Sequence, residues 1–189
     1  KEIPLSSTGT KLVNIGKLTI SDGKFTTELV TDYAVKDDAT DTFVKSIQEK
    51  NEALVNTVVA KSSVDLTTKR ADGTRAIRNR ETNLGDLITD AMLWKIRTQA
   101  TVSVPAENVV AITNGGGIRA TVKAGDVTKK DINTVLPFGN TLAVVYVTGA
   151  ELLEALEAST YCTPESLGGF PQVAGLQFVI LTDKAYDAN

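Results

Sequence analysis

Asn114 stands before a run of three glycines, Gly115-Gly116-Gly117, and Arg119 follows two residues after it. Adjacent glycines cost backbone entropy and bury no side chain, so a chain keeps them where it needs positive φ or a close approach. The Arg119 guanidinium offers a planar fork of donors matched to phosphate, carboxylate or sugar hydroxyls. An amide, a bare main chain and a guanidinium at the end of an apolar run can form a cradle for an anion or a nucleotide. The same residues also fit a tight turn whose arginine simply faces solvent.

Two further stretches could share that chemistry. Arg75, Arg78 and Arg80 form a basic cluster. If Ile77–Arg80 is a strand, Arg78 and Arg80 lie on one face of it, beside the positive end of the helix that follows. A solvated pair is the commoner outcome for such charges. In Leu136-Pro137-Phe138-Gly139-Asn140, proline and glycine flank the aromatic. That makes a stiff turn able to hold the ring outward as a stacking platform, although a single phenylalanine is more often packed inside.

Composition removes several alternatives. The chain has no histidine, so it can build neither a Ser-His-Asp triad nor a histidine metal site alone. Its single cysteine, Cys162, excludes an internal disulfide and fits either a reducing compartment or an exported protein without disulfides. Hydrophobic residues at 42%, charged residues at 23% and a net charge of -3 describe a globular chain without the basic excess of a nucleic-acid binder. No apolar run approaches the ~20 residues of a membrane span. The residues from Lys1 do not read as a signal peptide, as expected of a mature or trimmed form.

The elements that must carry these residues can be read in order. Leu12–Val30 predicts a β-hairpin turning at Asp22-Gly23. Two strands bury too little to stand alone, so it needs a surface to pack on. Thr42–Ala60 predicts an amphipathic connecting helix, with Phe43, Ile47, Leu54 and Val58 on its apolar stripe. Ser62–Arg80 reads as extended, with a turn at Asp72-Gly73. A helix from Asn83 to Gln99 follows, with Asn83 as N-cap and Asp86 in its first turn. Its predicted buried face is Leu84, Leu87, Ile88, Ala91, Met92 and Ile96, and Met92 and Trp94 read as packing residues.

Val109–Ile112 predicts a short buried strand entering the glycine run. Thr128 caps a short helix with Asp131 at its third position. Thr148 caps another with Glu151, and Leu152, Leu153 and Leu156 form that helix's core stripe. Thr141–Val147 and Val173–Leu181 read as strands, and Gly168–Pro171 as a loop.

Taken together, several motifs in this order resemble the C-terminal domain of the 5'-nucleotidase family, which includes UDP-sugar hydrolases and cyclic phosphodiesterase/nucleotidases. They are Arg78-Asn79-Arg80-Glu81-Thr82-Asn83-Leu84-Gly85-Asp86, Asn114-Gly115-Gly116-Gly117-Ile118-Arg119, Leu136-Pro137-Phe138-Gly139-Asn140 and Gly169-Phe170-Pro171-Gln172-Val173-Ala174-Gly175. The match spans about Ala71–Leu181.

The resemblance implies an α/β (α+β) fold, a mixed sheet flanked by helices, incomplete at its C-terminal end. It implies a remnant of a preceding metallophosphatase domain over 1–35, a linker helix over 36–65 and a substrate-binding domain over 66–189. In the family, two divalent metals in the N-terminal domain activate water against phosphorus, and the C-terminal domain carries the nucleotide to them. Carried over by position, Arg78, Asn114 and Arg119 contact ribose or phosphate, with Gly116 and Gly117 giving close approach. Phe138 stacks on the base, Asn140 lies near the base edge, and Gly169 lines the pocket. The chain itself would hold no catalytic residue, metal or cofactor. Its partners would be a nucleotide or nucleoside and its own N-terminal domain, not nucleic acid, and it would carry no transmembrane segment. The location implied is secreted, periplasmic or cell-surface. A non-catalytic nucleotide-binding or cell-surface module that reuses the fold is the alternative.

Overall fold

The computed structural model describes residues 7–9, 13–31 and 34–186, which separate into two units, Lys1–Glu52 and Ala53–Asn189. Leu12, at the start of the expected hairpin, lies outside the described residues.

In the first unit, β1 (Ile15–Ser21) pairs antiparallel with β2 (Lys24–Val30), from Ile15↔Val30 to Ser21↔Lys24. Both turn residues have positive φ, 51° at Asp22 and 74° at Gly23, which matches the right-handed twist of the flanking strands. Helix α1 (Asp38–Val55) begins at an acidic cluster: the Asp37 carboxylate accepts from Thr40 N, and Asp41 pairs with Lys36 and Lys45. Phe43, Val44, Ile47 and Leu54 are exposed, so the amphipathic stripe is present but is not a buried face. The helix also stops short of Ala60. Residues Val58–Ser62 instead form β3, paired antiparallel with β5 (Gly125–Thr128), because β-branched Val58 and Val59 meet a free edge there.

The second unit is of the expected α/β class. Besides β3–β5 it contains β4 (Ala111–Asn114) paired antiparallel with β6 (Pro171–Ala174), and helices α2 (Asn83–Gln99), α3 (Lys129–Val135) and α4 (Gly149–Thr160). One core cluster joins Ile77, Leu84, Ile118, Val122, Val127 and Val135. A second joins Leu93, Ala111 and Ala174 along the inner side of α2.

Several sequence expectations are corrected. Thr82, not Asn83, caps α2: its hydroxyl accepts from Gly85 N at 3.2 Å. Asn83 instead receives Thr67 N and donates to Asp65 O, tying the preceding loop to the helix. The buried stripe of α2 is Leu84, Gly85, Thr89 and Leu93, flanked by half-buried Ile88 and Met92. Leu87 and Ala91 face outward, as does Trp94, 60% exposed, which sits about 100° around the helix from Leu93. Leu153 of α4 is likewise exposed while Leu156 is buried.

Residues 77–80 form a turn closed by Asn79 N donating to Ala76 O, not a strand. Residues 141–147 join no sheet, and the final strand ends at Ala174. Strand propensity is realised only where a neighbouring edge accepts the main chain, and no described edge does so here.

Both predicted capping boxes form. Asp131 receives Thr128 N at 2.8 Å and Thr128 Oγ1 at 2.6 Å, and Thr128 Oγ1 accepts from Asp131 N. These hydrogen bonds hold the Asp131 carboxyl below its ordinary pKa. A depressed carboxylate pKa adds stability above the unfolded value and loses it as pH falls through the folded one. Thr128→Ala should therefore cost about 0.5–2 kcal/mol in urea unfolding at pH 7, and the difference should narrow on acidification below pH ~4.

Candidate functional site

Two isoleucines, Ile77 and Ile118, are fully buried in the same core cluster, and each is followed directly by an arginine. Burying the apolar residue fixes where Arg78 and Arg119 leave the core. The glycine run passes against this anchor. A methyl group on Gly115 would overlap the Ile77 carbonyl oxygen, and one on Gly116 would lie 2.7 Å from Gly168 O. Gly115–Gly117 form a single 3₁₀ turn, and none of them is among the residues with positive φ. Of the two reasons a chain keeps adjacent glycines, close approach is the one at work here.

Main-chain hydrogen bonds lock three loops together. Gly115 N donates to Phe170 O at 2.8 Å, Gly116 N to Gly168 O at 2.9 Å, and Leu167 N to Arg78 O at 2.9 Å. Asn114 Nδ2 also donates to Gly168 O, at 3.1 Å, so its amide arches over Gly117 with the Oδ1 side toward that glycine. A fourth loop joins through Arg119 N donating to Val135 O at 2.8 Å, at the C-terminal end of α3. Phe138 comes three residues later. The residue is 61% exposed, and the Arg119 guanidinium carbon stands 6.0 Å from the centre of its ring. Gly139, at φ 62°, turns the chain just past the ring.

The structure thus gathers Arg78, Asn114, Gly116, Gly117, Arg119 and Phe138, with exposed Gly169 adjoining the Gly168 carbonyl and exposed Asn140 two residues beyond the ring. Arg80 does not join them. It lines a separate depression with Lys69, Arg70 and Asp72.

Arg75 does join, and the pattern of residues gave no reason to choose it over Arg80. Its Nη2 donates to Ile118 O at 2.8 Å, and Arg119 Nη1 donates to Gly116 O at 3.1 Å, so both grip the same turn. Burial, and then the like charges of Arg78 and Arg119, lower the Arg75 pKa. Among the described residues, no carboxylate pairs with any of these three guanidinium groups. The Nε atoms of Arg75 and Arg78 are buried without a partner there. A concentration of unbalanced positive charge beside an exposed ring suits an anionic ligand with an aromatic part.

Residues 58–188 match the family profile described as "5'-nucleotidase, C-terminal domain". The chain belongs to the 5'-nucleotidase family. It is 43% identical over 121 residues to the trifunctional nucleotide phosphoesterase protein YfkN of Bacillus subtilis, covering 64% of this chain and 8% of that protein. It is 33% identical over 173 residues to a 5'-nucleotidase of Vibrio parahaemolyticus, covering 91% of this chain and 28% of the relative. The crystal structure of a 5'-nucleotidase precursor from Thermus thermophilus aligns with a TM-score of 0.66 at 34% identity, over 92% of this chain and 34% of that one. The chain therefore spans about a third or less of these proteins.

The divalent metals that the family resemblance implies do not fit the residues present. The sequence has no histidine, and no group of three or more cysteine, aspartate or glutamate side chains among the described residues could hold an ion. No metal-dependent step is assigned to this chain.

The packing at Gly115 gives a direct test. Gly115→Ala should destabilise the chain by about 1–3 kcal/mol, because backbone rather than a movable side chain opposes the methyl group. Gly168→Ala, with nothing within 4 Å of the added carbon, should stay within about 0.5 kcal/mol in the same urea titration followed by circular dichroism.

Proposed function

We propose that this chain is the nucleotide-binding domain of an exported, metal-dependent 5'-nucleotidase that hydrolyses the phosphate ester of nucleotides. The observation that carries the reading is the Arg119–Phe138 pair: a guanidinium 6.0 Å from an exposed ring that a tethered turn holds beside a glycine cradle. One ligand can then place an aromatic base on the ring and anionic or hydroxyl oxygens on the guanidinium groups.

In this reading Phe138 stacks on the base and Asn140 faces its edge. Arg78 and Arg119 hold ribose or phosphate oxygens. Asn114 contributes Oδ1, since one of its amide hydrogens is already given to Gly168 O. Gly116, Gly117 and Gly169 let the ligand approach the main chain. The chain binds and orients; a preceding metallophosphatase domain, of which residues 1–35 are the end and the residues from 36 up to β3 the link, would supply two divalent ions and their activated water. Secretion to the periplasm or cell surface belongs to the same proposal. Among the described residues, no helix is long and apolar enough to cross a membrane.

Calorimetric titration with a nucleoside monophosphate tests the site. Phe138→Ala should weaken binding by about 1–3 kcal/mol, the scale of a lost base–aromatic stack. Unchanged affinity in Phe138→Ala and Arg119→Ala would leave these residues a purely structural role. With added divalent metal, this chain should release no phosphate from the nucleotide above background. Turnover by the chain alone would contradict the division of labour between the two domains.

A further inference from the structure

Gln172 is only 1% exposed, yet it is a polar residue on a short strand next to the core. Its carboxamide is fully engaged with one segment of chain. Nε2 donates to Ile77 O at 3.2 Å and to Arg80 O at 2.8 Å. Oε1 accepts from Thr82 N at 3.1 Å and from Thr82 Oγ1 at 3.3 Å. The residues it holds, Ile77, Arg80 and Thr82, bracket Arg78. On its own strand Gln172 is paired with Thr113, one residue before Asn114. A single side chain therefore links the Arg78 turn to the strand pair that delivers Asn114 and the glycine run.

Burying a primary amide is costly unless its donors and acceptor are matched, and here they are. A core position at this site could be filled by an apolar residue of similar size. The particular service of the amide is to fix a turn whose own main chain lacks a regular ladder. Gly85 leaves room for it: a methyl group at Gly85 would overlap Oε1 and lie 2.5 Å from Cδ of Gln172.

We infer that Gln172 is a positioning residue for ligand binding, setting the place of Arg78 relative to Asn114 and Arg119 through its clamp on residues 77–82. The inference rests on the nucleotide-binding reading above. Gln172 touches no ligand in it; its effect passes through Arg78.

The test is a double-mutant cycle on this chain, with a nucleoside monophosphate as probe and titrations at a temperature where circular dichroism shows every variant folded. Gln172→Met keeps the volume and removes all four bonds. It should weaken binding on the order of ten-fold, the scale of one lost charge-assisted contact. In an Arg78→Ala background the same change should have no further effect, because the residue it positions is gone. Gly85→Ala, which displaces the carboxamide without replacing it, should show the same dependence on Arg78 and covers the case in which Gln172→Met does not fold. Equal losses with and without Arg78, or unchanged affinity in folded Gln172→Met and Gly85→Ala, would overturn the positioning role and leave the binding reading standing. An unmodified chain that fails to bind the probe would overturn the binding reading, and this role with it.

Discussion

The contact between Gly115 and the Ile77 carbonyl is the constraint on which the site depends. Two stretches of main chain lie too close for a side chain to intervene. That closeness lets the Phe170 and Gly168 carbonyls accept from the glycine run, while Leu167 N on the same loop donates to Arg78 O. Without it the four loops would be separate surface features. With it, residues more than fifty positions apart in sequence form one face, and the fully buried pair Ile77 and Ile118 keeps that face rigid. The glycines serve geometry by being small. Positive φ is used elsewhere, at Gly23, Gly73 and Gly139, where the chain must turn.

Charge is arranged against this rigid frame. Burial makes the Arg75 charge costly, and the like charges of Arg78 and Arg119 add to that cost. What offsets this within the described residues is main-chain carbonyl contact, Ile118 O for Arg75 and Gly116 O for Arg119. Carbonyl dipoles stabilise guanidinium groups without neutralising them, so the site keeps a positive potential that a carboxylate partner would have removed. Elsewhere in the chain, lysines do pair with carboxylates, as in Lys123–Asp65 and Lys61–Asp126. What sets the arginine cluster apart is that three guanidinium groups lie close together around one turn with no carboxylate among them.

Local signals were legible where the physics is local. The Asp22-Gly23 hairpin and the capping boxes at Thr128 and Thr148 form as their residue types predict, because each is decided within about five residues. Packing signals were less reliable. Trp94, Leu87 and Leu153 fit the helical period yet face outward, because which arc of a helix is buried depends on what lies against it. The apolar residues of 141–147 favour a strand but find no described edge to pair with. Thr82 displaced Asn83 as the cap of α2 because the Asn83 amide is engaged by Thr67 and Asp65.

The sequence by itself determined the family and the α/β class, and it singled out the glycine run and Phe138 while leaving open whether the run is a plain turn and whether the ring is packed inside. Each of these rests on residue types in a fixed order along short stretches, and motif chemistry of that kind survives without knowledge of the fold. Only the tertiary structure decided which arginines belong together. Arg75 joins the site and Arg80 leaves it because a turn, not a strand, runs through residues 77–80, and a turn does not preserve two-residue alternation. It also decided the surroundings of Gln172, whose four partner atoms lie in a segment ninety or more positions earlier that meets it where the start of α2 packs against β6.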